Sequence, residues 1–221
     1  MSISSIFQMI FETLSMTIIS LGLAYLFGMP IGLILNITSK KGLKPCKSIN
    51  FILSSIVNVL RSIPCLIIVV LLMPVVRAVF GIGTGKWYTI IIPLFVASLG
   101  FVARIVEQSL AEVDKGKIEA VRSLGANNIQ IVMKVLVPEA RSSLISGVAV
   151  TFVSILGYTS FAYNIAAGGL ISGIWHYYAK NTGNYLTSIS FWILIIIVVI
   201  LVQLVQEVGL YISKKLDKRR I

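Results

Sequence analysis

The 221-residue sequence predicts an all-α membrane protein: five transmembrane helices in a single domain over residues 1–221, N-terminus outside and C-terminus cytoplasmic. Three observations lead to this fold class. The chain is 57% hydrophobic and 12% charged, with mean hydropathy +0.96, about half the charged fraction of a soluble domain. It contains apolar stretches of spanning length from about Thr13 to Ile37, Ile49 to Val76, Trp87 to Ala103, Ser143 to Ile165 and Tyr185 to Tyr211, where a span takes ~20 residues. Its basic residues are placed unevenly. Lys40, Lys41, Lys44 and Lys47 follow the first stretch; Arg104, Lys115, Lys117, Arg122, Lys134 and Arg141 follow the third; Lys214, Lys215, Lys218, Arg219 and Arg220 follow the fifth. The second loop holds Arg77 and Lys86, and the fourth only Lys180. Because excess Lys and Arg stay in the cytoplasm, the first loop, the third loop and the tail are expected inside. Topology accounts in this way for the net charge of +11 without a nucleic-acid partner.

No Lys or Arg precedes Lys40, so the basic start of a cleavable signal peptide is missing and the first apolar segment is expected to remain in the mature chain. Phe7, Ile10, Phe11 and Leu14 follow helical spacing, either as an outer interfacial leader or as an early start of the first helix. Gly28 and Gly32 flank Pro30 and permit close approach of another helix. In the second stretch Arg61 is costly at about 2.5–3.5 kcal/mol near a helix centre, and Pro64 removes the backbone bond to the Leu60 carbonyl. Arg61-Ser62-Ile63-Pro64 therefore reads as an inward-facing break whose freed carbonyls, around Val59 and Leu60, accept from the guanidinium. Gly81, Gly83 and Gly85 mark a tight outer turn. The second and fourth loops read as short. Cys46, in a lysine-rich loop, and Cys65, in an apolar run, read as free thiols.

Catalysis and cofactor binding find little support. Asp114 and Asp217 fall in cytoplasmic segments, His176 in an outer loop, and Glu12 and Glu207 near helix ends, whereas membrane enzymes and proton-coupled carriers place such groups within the bilayer. No Cys/His cluster has metal-ligand spacing, and no nucleophile has a neighbouring base. The run from Gly81 to Lys86 suggests a phosphate-binding loop, but Phe80 and Trp87 occupy the places that need Gly and Ser or Thr. No catalytic residue, metal ligand or bound cofactor is expected on this chain, so any ATP used must be bound by another.

The third loop, about residues 104–142, is the informative segment. It holds Glu107, Glu112, Asp114, Glu119 and Glu139, most of the eight acidic residues. Ile118, Val121 and Leu124 recur at three-residue spacing and Gly125 offers a left-handed cap. Asn127 or Asn128 begins a second helix with Ile129, Val132, Met133 and Leu136 on one stripe, which Pro138 is expected to close. A stripe of this kind outside the membrane must bury itself against lipid, its own bundle or another protein.

Glu119-Ala120-Val121, then Gly125, then Val135-Leu136-Val137-Pro138 resembles the Glu-Ala-Ala loop of importer permeases that work with ATP-binding cassette (ABC) ATPases, with Val121, Val135 and Val137 as conservative departures. Over nearly the whole chain, Glu12-Thr13-Leu14, Arg61-Ser62-Ile63-Pro64, Arg104 with Glu107, Gly157-Tyr158 and Ala167-Gly168-Gly169-Leu170 resemble the membrane subunit of methionine importers. Phe161-Ala162-Tyr163-Asn164 departs, since that family tends to have smaller residues there. The resemblance implies a type I importer permease in the bacterial inner membrane, working as a homodimer with a cytoplasmic ATPase dimer and an extracytoplasmic substrate-binding protein. It implies an ATPase-coupling loop of Glu119, Ala120, Gly125, Ile129, Val132, Met133 and Pro138. It also implies a pathway between two copies, lined by Arg61, Ser62, Pro64, Tyr158, Tyr163, Gly168 and Gly169. Methionine is the cargo expected. Another small solute in the same family is the alternative; a membrane enzyme or a secondary transporter would need features the chain lacks, such as an inverted repeat or an ion site.

Overall fold

The computed structural model describes residues 2–180 and 184–216; Asp217, Lys218, Arg219 and Arg220 of the basic tail lie outside the described residues. The described residues form α1 (Ile3–Thr38), α2 (Lys47–Ser62), α3 (Cys65–Phe80), α4 (Ile91–Ala111), α5 (Lys115–Ser123), α6 (Asn128–Ile131), α7 (Val137–Tyr158), α8 (Leu170–Lys180) and α9 (Ile189–Leu216). A 3-10 turn at Trp87–Ile90 leads into α4, another at Thr159–Ile165 follows α7, and a π-helical turn at Val132–Leu136 joins α6 to α7. Four helical segments are each long and apolar enough to cross a bilayer, and α2 with α3, bent by 104° at their junction, make a fifth span if counted as one.

α4 forms the centre. Its most apolar stretch is 61% buried, against 11% for α9 at the periphery. α1 lies along α4 because Gly28 and Gly32 have no side chains: a Cβ on Gly28 would stand 2.8 Å from Val102 Cγ1, and one on Gly32 would stand 2.5 Å from the Ala103 carbonyl oxygen. The glycine pair is therefore a helix contact. Ser20 Oγ donates to the Ile91 carbonyl at 3.2 Å on the same seam. α7 packs on α4 and carries α9, with Ser142 and Ser213 exchanging hydroxyl and carbonyl hydrogen bonds at 2.9 Å.

α1 starts at Ile3 and runs without interruption, which decides between the two readings of Phe7 to Leu14 in favour of an early start of the first helix. Three expectations need correction. Arg104 and Glu107 lie on α4, which continues to Ala111, and only residues 112–127 separate the long helices; charged residues read as loop because their partners on other helices are invisible in sequence. The connection between the last two spans, expected to be short, holds the eleven-residue α8. Pro138 does not end a helix: Leu136 and Val137 keep right-handed helical dihedrals and the chain continues to Tyr158. The π turn explains this. Val137 N–H donates to the Val132 carbonyl, five residues back, and the wider turn makes room where the proline ring would meet a carbonyl four residues back.

Candidate functional site: the coupling unit and the broken span

α5 and α6 form a helical pair beyond the ends of the long helices. The Asp114 carboxylate caps α5 by accepting from Gly116 N–H at 2.9 Å. Its other end is a Schellman motif: Gly125 sits at φ +84°, Gly125 N–H donates to the Arg122 carbonyl and Ala126 N–H to the Val121 carbonyl. Of the two asparagines available, Asn127 caps α6, in a capping box with Gln130 at 2.8 and 2.9 Å. Lys117 Nζ pairs with Glu139 Oε2 at 2.5 Å and Arg122 Nη2 donates to the Leu43 carbonyl at 3.5 Å, which ties α5 to α7 and to the first loop.

The stripe at Ile129, Val132, Met133 and Leu136 is split. Val132 and Leu136 are 7% and 2% exposed and join the cluster of Val102, Val106, Leu110 and Val113. Ile129 and Met133 are 75% and 64% exposed. Val132 thus holds the unit to its own bundle, a correction to its place in the coupling face, because it packs on the side shared with Ile131, Val135 and Leu136. Leu124, missed as a surface residue because its spacing with Ile118 and Val121 suggested burial, is exposed beside Glu119 and Ala120. The outward face of the unit is therefore Glu119, Ala120, Leu124, Ile129 and Met133, turned about Gly125. Pro138 is exposed on the first turn of α7.

At the other candidate site the helix breaks where the sequence places it. Ile63, ahead of proline, is extended at φ −81°, ψ 122°, and Pro64 is the N-cap position of α3. The Val59 carbonyl is taken by the Ser62 hydroxyl at 2.8 Å rather than by the Arg61 guanidinium. Arg61, Ser62 and Pro64 are exposed, and Arg61 lays its stem over α4, 3.0 Å from where a Cβ on Gly100 would stand. Ser55 and Asn58 are also exposed one and two turns before them. In this way α2 presents a polar face of Ser55, Asn58, Arg61 and Ser62. Only Arg61 and Ser62 stand out in sequence; Asn58 and Ser55 are legible by their spacing of four and seven from Ser62.

The remaining pathway candidates lie elsewhere. Tyr158 is half-buried against the cluster that holds Cys65, Ile155 and Ala162. Tyr163 is exposed and stacks on Trp175 at 5.5 Å. Gly168 and Gly169, at φ +82° and +88°, lead into α8. Gly169 N–H donates to Glu12 Oε2 and Leu170 N–H to Thr13 Oγ1, both at 2.8 Å. A helix 157 residues away in sequence thereby caps α8. Glu12, two turns inside α1 rather than at a helix end, has this structural role. Cys46 is partly exposed, Cys65 is buried, and both are free. Among the described residues no group of three His, Cys, Asp or Glu is placed to hold a metal.

Residues 28–218 match the family described as the binding-protein-dependent transport system inner membrane component. The chain belongs to this family. A relative in this permease family, the probable D-methionine transport system permease protein MetI of Vibrio cholerae, is 33% identical over 94% of the chain and 90% of its own length. The methionine import system permease protein MetP of Bacillus subtilis is 38% identical over 84% of the chain and 82% of its own. The inward-facing methionine ABC transporter MetNI superimposes with TM-score 0.89 at 33% identity, covering 98% of this chain and 99% of that one.

Proposed function

We propose that this chain is the permease subunit of an ABC importer for methionine in the bacterial inner membrane. The observation that carries the reading is its likeness, along nearly its whole length, to permeases named for methionine transport. Two copies pair so that the polar faces of α2 meet, because one such face cannot lie against lipid without cost. The N-terminus is outside, and the coupling unit lies in the cytoplasm, where basic residues concentrate. The exposed face of Glu119, Ala120, Leu124, Ile129 and Met133 docks on a separate ATPase, and a binding protein delivers substrate from outside. ATP hydrolysis takes place on that separate ATPase chain. ATP-driven closure of the ATPase pair moves the docked units and rocks the spans between inward-open and outward-open arrangements.

Uptake into proteoliposomes holding the permease, its ATPase and its binding protein tests the cargo. ATP-dependent accumulation of labelled methionine, competed by unlabelled methionine, is expected; accumulation of another amino acid or an osmoprotectant, with methionine failing to compete, would reassign it. Gly125→Val, which puts a β-branched side chain at φ +84°, and Glu119→Lys, which reverses a charge, should leave insertion and pairing intact. Each should lower ATPase co-purification by about tenfold, the effect of ~1.4 kcal/mol. Normal association in both variants would remove the docking role.

A further inference from the structure

Arg104 has more polar contacts than any role described so far requires. On α4 its Nη1 donates to Glu107 Oε2 at 2.6 Å, a turn further along. Its Nη2 reaches across to α2 and donates to Ser54 Oγ at 2.5 Å, the Ser54 carbonyl at 3.3 Å and Asn58 Oδ1 at 2.7 Å. One turn before it, Gly100 lets the two helices touch: a Cβ there would stand 3.0 Å from the Val57 carbonyl oxygen and 3.3 Å from Leu60 Cβ. The far end of α4 is fixed as firmly. Leu110 and the following Val113 pack with Val132 and Leu136 of the coupling unit, and Ile118 of α5 leans on the same cluster. A single buried helix thus joins the unit that docks on the ATPase to the polar face of α2.

We infer that Arg104 is a positioning residue that fastens the inner half of α2 to α4, so that displacement of the coupling unit is delivered to the Ser55–Asn58–Arg61–Ser62 face. The guanidinium fork suits this task, since one planar group holds Ser54 and Asn58 at fixed separation while Glu107 neutralises it. Parting the helices would take Ser54 and Asn58 away from the guanidinium and leave it only Glu107 on its own helix, so the pair of helices moves as one body. The inference rests on the docking reading above and fails separately from it, because Arg104 is not on the docking face.

The test is the ratio of methionine transported to ATP hydrolysed in the reconstituted complex. Arg104→Ala should keep full ATPase stoichiometry and hydrolysis while the ratio falls by about tenfold, and Arg104→Lys, which keeps the charge without the fork, should recover part of it. A disulfide between Leu60→Cys and Gly100→Cys, with Cys46 and Cys65 replaced, should restore the ratio in Arg104→Ala when oxidised and lose it when reduced. Loss of ATPase from Arg104→Ala, or equal loss of transport and hydrolysis, would make Arg104 an assembly residue and overturn the proposal. So would a 60–100 disulfide that blocks transport in the Arg104 background, because the helices would then have to separate.

Discussion

Pro64 and Pro138 interrupt two spans with opposite results. At Pro64 the chain turns by 104°; at Pro138 it continues as helix from Asn128 to Tyr158. The chemistry of the two residues is the same: each lacks an N–H and each presents a ring to the carbonyl four residues back. The difference lies upstream. Ile63 has gone extended, the conformation that a following proline favours, and α3 starts afresh. Before Pro138 the backbone widens into a π turn, held because Val132, Val135 and Leu136 are buried. A proline breaks a membrane helix where nothing upstream absorbs it, and passes where packing maintains a wider turn. The broken span exposes polar residues; the continuous one packs the α5–α6 unit onto the bundle.

The strongest way to break this comparison is Pro64→Ala. With the restriction on Ile63 lifted, α2 and α3 should straighten, seen as a longer distance between spin labels at residues 52 and 75. Uptake should fall by at least about tenfold, the consequence of ~1.4 kcal/mol on the transport barrier. An unchanged distance would assign the bend to the packing of Cys65, Ile68 and Val69 instead.

A contrast within the π-turn region comes next. Val132→Ala removes two buried methyl groups and should lower permease stability by about 2 kcal/mol, read as a drop in thermal midpoint, with ATPase association unchanged. Ile129→Asp, on the exposed face, should do the reverse. Similar outcomes for the pair would mean that the stripe is not split between bundle and partner.

The smallest effect is expected of Pro138→Ala. Because the helix already runs through this position, stability should move by less than about 1 kcal/mol and uptake should stay near normal. A large loss would show that the proline itself maintains the π turn.

The sequence alone determined what depends on neighbours in the chain. Five apolar stretches, the αL site at Gly125, the asparagine cap and the break at Pro64 follow from composition, backbone sterics and capping within a few residues. The Glu-Ala-Ala resemblance is equally local, as is the close approach permitted by Gly28 and Gly32. Tertiary structure decided what depends on partners far along the chain. Arg104 looked like a loop cation until Ser54 and Asn58 came into reach; Glu12 looked like a helix-end carboxylate until Gly169 supplied its donor. Val132 and Ile129 shared a stripe until Val132 joined the cluster of Val102, Val106 and Leu110 and Ile129 was left exposed. Periodicity reports a helix that presents one face, whereas burial is set by which neighbour occupies the space beside it, and that neighbour is chosen by packing.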